Sequence, residues 1–241
     1  KEGVNYNPED PNYDLFKLAC KVSAKRLFPN FAFIDAPFNL AFYKEGDVNT
    51  EVSYMGCRTR VVADVTSPDN QVVTGRGNLS FTTINLVRLG IKYGIALGER
   101  DKADMDAFYE ELASMMDLVK DQLLERFELQ CNKRPYNFPF LMGQGNWLDS
   151  EKLRPNDKLK KVLRHGTLSV GFIGLAECLK ALIGEHHGES AKEQKLGLEI
   201  IGHIREKMDE YSEQYKLNFS CLATPAEGLS GRFTKIDKAI Y

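Results

Sequence analysis

The sequence has no closely spaced cysteine pairs and no long apolar run. Its cysteines stand singly at positions 20, 57, 131, 178 and 221, so they indicate neither a disulfide framework nor a zinc knuckle. No apolar stretch approaches the roughly 20 residues of a membrane helix, and the first residues do not begin a signal peptide. We therefore expect a cytoplasmic protein with reduced thiols and no membrane partner.

An excess of positive charge is also missing. The chain has 32 basic and 34 acidic residues, a net charge of -2, so it lacks the basic field that nucleic-acid binding requires. With 241 residues, of which 43% are apolar, it can bury a substantial core, and we predict a single domain over 1–241. Because it lacks an initiator Met and ends in a segment of helical character, we expect an internal piece of a longer chain.

Short apolar segments alternate with long amphipathic ones. The short apolar segments predict strands at residues 51–57, 59–65, 79–86, 137–142, 167–172 and 217–223. Apolar residues at steps of three and four predict helices from Met105 to Leu123 and from Leu196 to Tyr211. Strands that alternate with helices predict an α/β fold with parallel pairing, in which function gathers at the carboxyl ends of the strands.

Cys57 follows Gly56 between two apolar segments, with Arg58 and Arg60 close behind. Free cysteine is among the most buried residue types, so composition alone favours a small buried hydrophobe. A chemical role for Cys57 can be inferred only together with other residues of the chain. For the two arginines we favour structural pairing over catalysis.

Asn78 stands at the junction of a glycine-punctuated loop and a predicted strand. Its amide can hold a sugar hydroxyl or a carbonyl intermediate, although an asparagine after glycine is often a turn residue. The Gly75-Arg76-Gly77 pattern is not a dinucleotide fingerprint, because no third glycine opens a helix.

The segment Thr224-Pro225-Ala226-Glu227-Gly228 follows a predicted strand and has the pattern of a helix start. Thr224 is expected to cap the helix, with Pro225 at its first position and Glu227 completing a capping box. The same helix end can bind a phosphate group, with Ser230 and Arg232 as further donors.

His165 precedes a glycine-rich strand. We favour a structural role for it. The other histidines lack metal-ligand spacing, so no metal is assigned to the chain.

Together these segments resemble the catalytic subunit of the oxygen-sensitive, class III ribonucleoside-triphosphate reductases. The resemblance covers nearly the whole chain, in family order. It rests on Phe28-Pro29-Asn30-Phe31, Asp35-Ala36-Pro37-Phe38-Asn39-Leu40, Met55-Gly56-Cys57-Arg58-Thr59-Arg60, Arg76-Gly77-Asn78-Leu79-Ser80-Phe81-Thr82, Ile84-Asn85-Leu86, His165-Gly166-Thr167-Leu168-Ser169 and Ala223-Thr224-Pro225-Ala226-Glu227-Gly228-Leu229-Ser230-Gly231-Arg232.

The resemblance implies a ten-stranded α/β barrel made of two antiparallel halves of parallel strands, with a finger loop inside. Cys57 matches the cysteine of that loop, which as a thiyl radical takes the 3′ hydrogen of the ribose before the 2′ hydroxyl leaves as water. Asn78 matches an asparagine that holds the ribose or its keto intermediate, and Thr224 to Gly228 match the triphosphate site.

The resemblance also implies partners outside the chain. A radical S-adenosylmethionine activating enzyme forms a glycyl radical, formate is the reductant, and the full-length protein is a homodimer. The chain contains neither the Arg-Val-x-Gly-Tyr radical segment nor the four-cysteine zinc site of the family, so both are expected elsewhere in the full-length protein.

Two alternatives stay open at this point. A glycyl-radical enzyme of the pyruvate formate-lyase type shares the barrel, but adjacent paired cysteines are expected there and Cys57 stands alone. The other alternative is a nucleotide-binding or structural module without catalysis.

Overall fold

A computed structural model of the chain describes residues 1–55, 59–61 and 63–241. Contacts between Cα atoms group the chain into two compact units, Lys1–Gly75 and Arg76–Tyr241. The single domain expected over 1–241 stays a prediction.

The described residues of the first unit form two α-helices and a short strand pair. Helix α1 spans Tyr13–Arg26, and α2 spans Pro37–Leu40, which begins with a proline whose fixed φ suits a first helical turn. Strands β1 (Ser53–Met55) and β2 (Thr59–Val61) pair antiparallel. The strands predicted over 51–57 and 59–65 are thus present in part, as shorter elements.

The second unit is built on a parallel sheet. Strands β3 (Asn78–Asn85), β4 (Thr167–Ile173) and β5 (Asn218–Ala223) lie side by side in chain order. Its helices are α3 (Leu86–Tyr93), α4 (Met105–Cys131), α5 (Lys160–Leu163), α6 (Leu175–Ile183), α7 (Ala191–Tyr215) and α8 (Glu227–Ile240). The predicted α/β class with parallel pairing is confirmed.

The long helices α4 and α7 cover one face of this sheet, and each begins at a side-chain cap. Asp104 accepts a hydrogen bond from the N–H of Ala107 (3.1 Å), and Ser190 accepts one from that of Glu193 (3.4 Å). The buried stripes of both helices recur at three- and four-residue steps, as predicted: Phe108, Leu112, Met116, Val119, Leu123 and Phe127 on α4, and Ile200, Ile204, Met208 and Tyr211 on α7. Despite their length, neither of them nor any other helix in the described residues has the apolar surface of a bilayer-spanning segment.

Helices α3 and α6 also pack together, at a point where a side chain is missing. A Cβ atom on Gly90 of α3 would lie 2.6 Å from the carbonyl oxygen and 2.8 Å from the Cα atom of Cys178 on α6. The two backbones approach this closely only because residue 90 is glycine.

Residues 137–142 do not form the predicted strand. A 3-10 turn at Pro135–Asn137 leads into further turns, in which the N–H of Met142 donates to the carbonyl of Phe138 (2.9 Å). Apolar residues at every second position imitate a strand here, but prolines at 135 and 139 have no N–H to donate to a sheet. The strand prediction for this segment is wrong.

Candidate active site

Cys57, the residue predicted to carry the radical, lies outside the described residues, as do the rest of 56–58 and residue 62. The strands that precede and follow it are described. In β1 and β2, Ser53 pairs with Val61 and Met55 with Thr59. The structure therefore describes the two strands that flank the cysteine motif, and not the cysteine itself.

Both strands form hydrogen bonds with Asn39, a buried side chain that is 2% exposed. Its Nδ2 donates to the carbonyl of Phe33 (2.7 Å) and to the hydroxyl of Tyr54 in β1 (3.2 Å). Arg60 of β2 donates to Asn39 Oδ1 and to the carbonyl of Phe38 (2.8 Å), and its guanidinium lies 4.9 Å from the centroid of the Phe38 ring. The structural pairing expected for Arg60 is confirmed. The role of Asn39 as a brace was missed, although its motif was visible in the sequence.

The face of the parallel sheet that is turned away from α4 and α7 is lined mainly by small polar side chains. Side chains alternate along a strand, and Leu168 and Val170 of β4 enter the core, so Thr167, Ser169 and Gly171 lie on the other face. Alternation and hydrogen bonding place five further polar residues on this face: Asn78, Thr83, Asn218, Ser220 and Thr224. The same register places the apolar side chains of Phe81 and Leu222 there as well.

Hydrogen bonds between strands join these polar side chains in pairs. The hydroxyls of Ser169 and Ser220 are 2.8 Å apart, and those of Thr83 and Thr224 are 2.9 Å apart. The Thr167 hydroxyl donates to Asn78 Oδ1 at 3.4 Å. The polar groups are thereby held in fixed positions. Thr167, Ser169 and Asn218 are buried, whereas the other four are partly exposed, namely Asn78, Thr83, Ser220 and Thr224.

Asn78 and Thr224 lie on the same face but at opposite ends of the sheet. Asn78 opens β3 and is in register with Thr167 and, through it, with Asn218 at the start of β5. Thr224 directly follows β5, six residues after Asn218, a distance of about 20 Å at the rise of a parallel strand. The sheet does not bring the two predicted sites into contact, but it aligns them along one polar surface.

Helix α8 begins later than its sequence predicts. Glu227 is its first residue, Ala226 is its N-cap, and no side chain caps it. Thr224 is held instead by its N–H, which donates to the carbonyl of Phe172 (3.1 Å), and by its hydroxyl bond to Thr83. The predicted capping box and the placement of Pro225 at the first helical position are therefore wrong.

The first turn of α8 is nevertheless accessible to a ligand. Glu227 and Gly228 are exposed, and beyond the adjoining helix backbone no atom lies within 4 Å of the position that a Cβ on Gly228 would take. The backbone N–H groups of this turn have no acceptor within the helix, since the first helical bond runs from the N–H of Ser230 to the carbonyl of Ala226 (2.9 Å). Such a helix end favours an anionic group.

His165 is buried, at 2% exposure. Its carbonyl accepts a hydrogen bond from Arg76 Nε (2.8 Å), and its Nε2 lies 3.7 Å from Asp149 Oδ2. The first of these contacts ties the segment before β4 to the loop before β3, which fits the structural role expected for His165. Nowhere in the described ranges do three histidine, cysteine or acidic side chains gather as a possible metal site.

Three cysteines of the second unit are packing residues. Burial raises the pKa of the Cys131 and Cys221 thiols to about 11 and that of Cys178 to about 12. At neutral pH these thiols therefore stay protonated, and they are poor nucleophiles.

Asp237 anchors α8 to the carboxyl end of β3. It is 7% exposed, and it accepts hydrogen bonds from Asn85 Nδ2 and Arg88 Nε, both at 2.7 Å. The anchor lies in the second half of the helix, so it fixes α8 while the exposed first turn stays free.

Substitution Asp237→Ala in the full-length protein is expected to loosen α8. The buried Asn85 amide loses its acceptor, which costs on the order of 1 kcal/mol after allowance for the partly exposed Arg88. Peptides from 227–240 should then exchange backbone hydrogen for deuterium about fivefold faster. The matched control is Lys238→Ala, next to it and exposed. Equal exchange rates in the two variants would show that Asp237 is not an anchor.

Comparison with known proteins gives a match over the whole chain. The sequence profile of the family described as anaerobic ribonucleoside-triphosphate reductase matches residues 1–241. The protein of that name from Enterobacteria phage T4 is 30% identical over 243 aligned positions, which cover 100% of this chain and 37% of the phage protein. Those from Salmonella typhimurium and Escherichia coli are each 27% identical over 244 positions, covering 100% of this chain and 32% of their own length.

The chain thus spans about a third of the length of these relatives. All of it is matched, including the segment around Cys57, the loop before Asn78 and the start of α8. The chain belongs to the anaerobic ribonucleoside-triphosphate reductase family.

Proposed function

We propose that the full-length protein reduces ribonucleoside triphosphates to deoxyribonucleoside triphosphates, and that this chain supplies part of its catalytic barrel. The observation that carries the proposal is the family match over all of 1–241. It favours a reductase over an enzyme of the pyruvate formate-lyase type and over a module without catalysis.

The proposed barrel has ten strands, of which β3, β4 and β5 are three. Two features of the sheet support this. The strands are parallel and follow one another in chain order, and the long helices cover one face while the other carries mainly small polar side chains together with Phe81 and Leu222. A barrel wall has this arrangement, with helices outside and the strands' other face turned to the interior.

In the proposed reaction, the Cys57 sulfur is a thiyl radical that takes the hydrogen atom from C3′ of the ribose. An S–H bond forms as the C3′–H bond breaks, and the 2′ hydroxyl then leaves as water. The radical supplies the difficult bond cleavage, so the main contribution of the protein is to orient C3′ toward sulfur and to exclude solvent.

Asn78 is proposed to hold the ribose or its keto intermediate, and Thr224, Pro225, Ala226, Glu227 and Gly228 to hold the triphosphate. Two observations support these assignments: Asn78 and Thr224 lie on the same face of the sheet, and the first turn of α8 is exposed.

The radical and the reducing electrons are proposed to come from groups outside these 241 residues. A glycyl radical elsewhere in the full-length chain, formed by a radical S-adenosylmethionine activating enzyme, supplies the oxidising equivalent for Cys57. Formate is proposed to give the two electrons of the reduction and to leave as carbon dioxide. A homodimer, a structural zinc site outside this chain and a cytoplasmic location complete the proposal.

The test is a comparison of the full-length protein with the 241-residue chain. Both are incubated without oxygen with activating enzyme, formate and a ribonucleoside triphosphate, and deoxyribonucleotide is measured. We expect product from the full-length protein and none from the chain, which contains no Arg-Val-x-Gly-Tyr segment to store the radical. An inactive full-length protein that carries its glycyl radical would contradict the proposed function, and product from the chain alone would contradict the need for that segment.

A further inference from the structure

We propose that Thr83 is a positioning residue for the triphosphate site, because its hydroxyl orients that of Thr224. The inference rests on the proposed function, in which Thr224 opens the triphosphate site. It assigns a role to a strand residue that lies 141 positions away from that site in the sequence.

The geometry that carries the inference spans three strands. Thr83 of β3 is in register with Gly171 of β4, which is in register with Leu222 of β5. The hydroxyls of Thr83 and Thr224 meet 2.9 Å apart above Gly171. A Cβ at position 171 would lie 2.1 Å from Thr224 Oγ1 and 3.0 Å from Thr83 Oγ1, so the contact requires the glycine.

The chemistry of phosphate gives this contact a direction. A fully ionised phosphate oxygen only accepts hydrogen bonds, so a threonine hydroxyl that binds it must donate its one proton to it. Thr224 Oγ1 is then left with acceptor capacity alone, and Thr83 becomes the donor to it. Without a ligand, either hydroxyl can be the donor. Binding of phosphate therefore selects one of two orientations of an existing hydrogen bond.

Thr224 is thus held at two points before any ligand arrives. Its N–H donates to the carbonyl of Phe172 (3.1 Å), which fixes the backbone, and Thr83 restrains the side-chain rotamer. A donor that is already ordered loses less conformational entropy on binding, which strengthens binding without a new contact to the ligand.

The inference predicts a particular kinetic signature. The triphosphate is remote from the reacting C3′ and is bound equally in the ground state and the transition state, so a weaker phosphate contact raises KM and leaves kcat unchanged. For Thr83→Val, which keeps the shape of the side chain and removes the hydroxyl, we expect KM for the ribonucleoside triphosphate to rise about three- to tenfold.

The experiment uses the full-length protein with its activating enzyme and formate, and the glycyl radical yield confirms that each variant is folded. Thr83→Ser keeps the hydroxyl and is expected to restore a near wild-type KM. Thr83→Ala removes it with a smaller side chain and should match Thr83→Val. The control is Thr82→Val on the same strand, whose hydroxyl points the other way, toward Gln122 of α4 (3.5 Å).

The outcomes separate the inference from the function on which it rests. An inactive wild-type protein with a full radical yield overturns the proposed function. An active wild type in which Thr83→Val has the KM of Thr82→Val overturns the role of Thr83 alone. The role of Thr83 is also overturned if KM depends on side-chain size, so that Thr83→Ser is as impaired as Thr83→Ala. It is overturned as well if kcat falls while KM does not change.

Discussion

Substitution Cys57→Ser is expected to abolish deoxyribonucleotide formation by the full-length protein while its glycyl radical persists. Serine is close to cysteine in size, so packing around it should change little. Its O–H bond is much stronger than the S–H bond of cysteine, however, so the radical cannot move onto residue 57. Without that transfer, no group near the ribose can take the 3′ hydrogen.

The measurement pairs a product assay with electron paramagnetic resonance of the same samples. Cys20→Ser is the matched control, because Cys20 is exposed on α1 and has no part in the proposed site. It should keep full activity. Full activity in Cys57→Ser would instead make Cys57 a packing residue and remove the central assignment.

Substitution Gly90→Ala is expected to lower the free energy of unfolding of the second unit by about 2 kcal/mol. Two effects oppose each other at this position. Alanine favours a helix over glycine by about 1 kcal/mol, but the new methyl group would sit 2.6 Å from the Cys178 carbonyl oxygen. Its neighbours are backbone atoms of α6 that cannot rotate away, so α3 and α6 must separate and overpacking outweighs the gain in helix propensity.

The matched control is Gly202→Ala, the same change inside α7. Beyond the adjoining backbone of α7, no atom lies within 4 Å of the Cβ position there. Only the helix propensity therefore acts, and the free energy of unfolding should rise by up to about 1 kcal/mol. Urea unfolding of the 241-residue chain can be followed by fluorescence of Trp147, its single tryptophan, which is buried in the second unit. Changes of the same sign in the free energy of unfolding of Gly90→Ala and Gly202→Ala would contradict this account of Gly90.

Much of the second unit could be predicted from the sequence because its elements are long or strongly patterned. The stripes of α4 and α7 repeat over several turns, and β3, β4 and β5 are short segments rich in apolar residues and threonine and bounded by turn residues. The segment 137–142 was misassigned because alternation over a few residues does not distinguish a strand from successive turns. The prolines at 135 and 139 were the available signal.

The candidate site was predictable only where its chemistry is local. Thr224 and Gly228 could be singled out because they flank the start of a helix, although the cap was placed wrongly because Thr224 has a competing partner in Thr83. That partner depends on the register of three strands, and the brace formed by Asn39 depends on a contact with Tyr54, 15 residues away. The motif around Asn39 can be seen in the sequence, but neither pairing partner can be read from periodicity or composition.

The chain order of the strands also bears on how the second unit is made. Because β3, β4 and β5 are neighbours in the order of translation, each later strand emerges from the ribosome to a partner that already exists. At about 5–20 residues per second, β4 follows β3 by roughly 4 to 16 s. Helix α4 is translated within that interval and packs on β3, so the apolar face of the first strand can be covered before its neighbour has been synthesised.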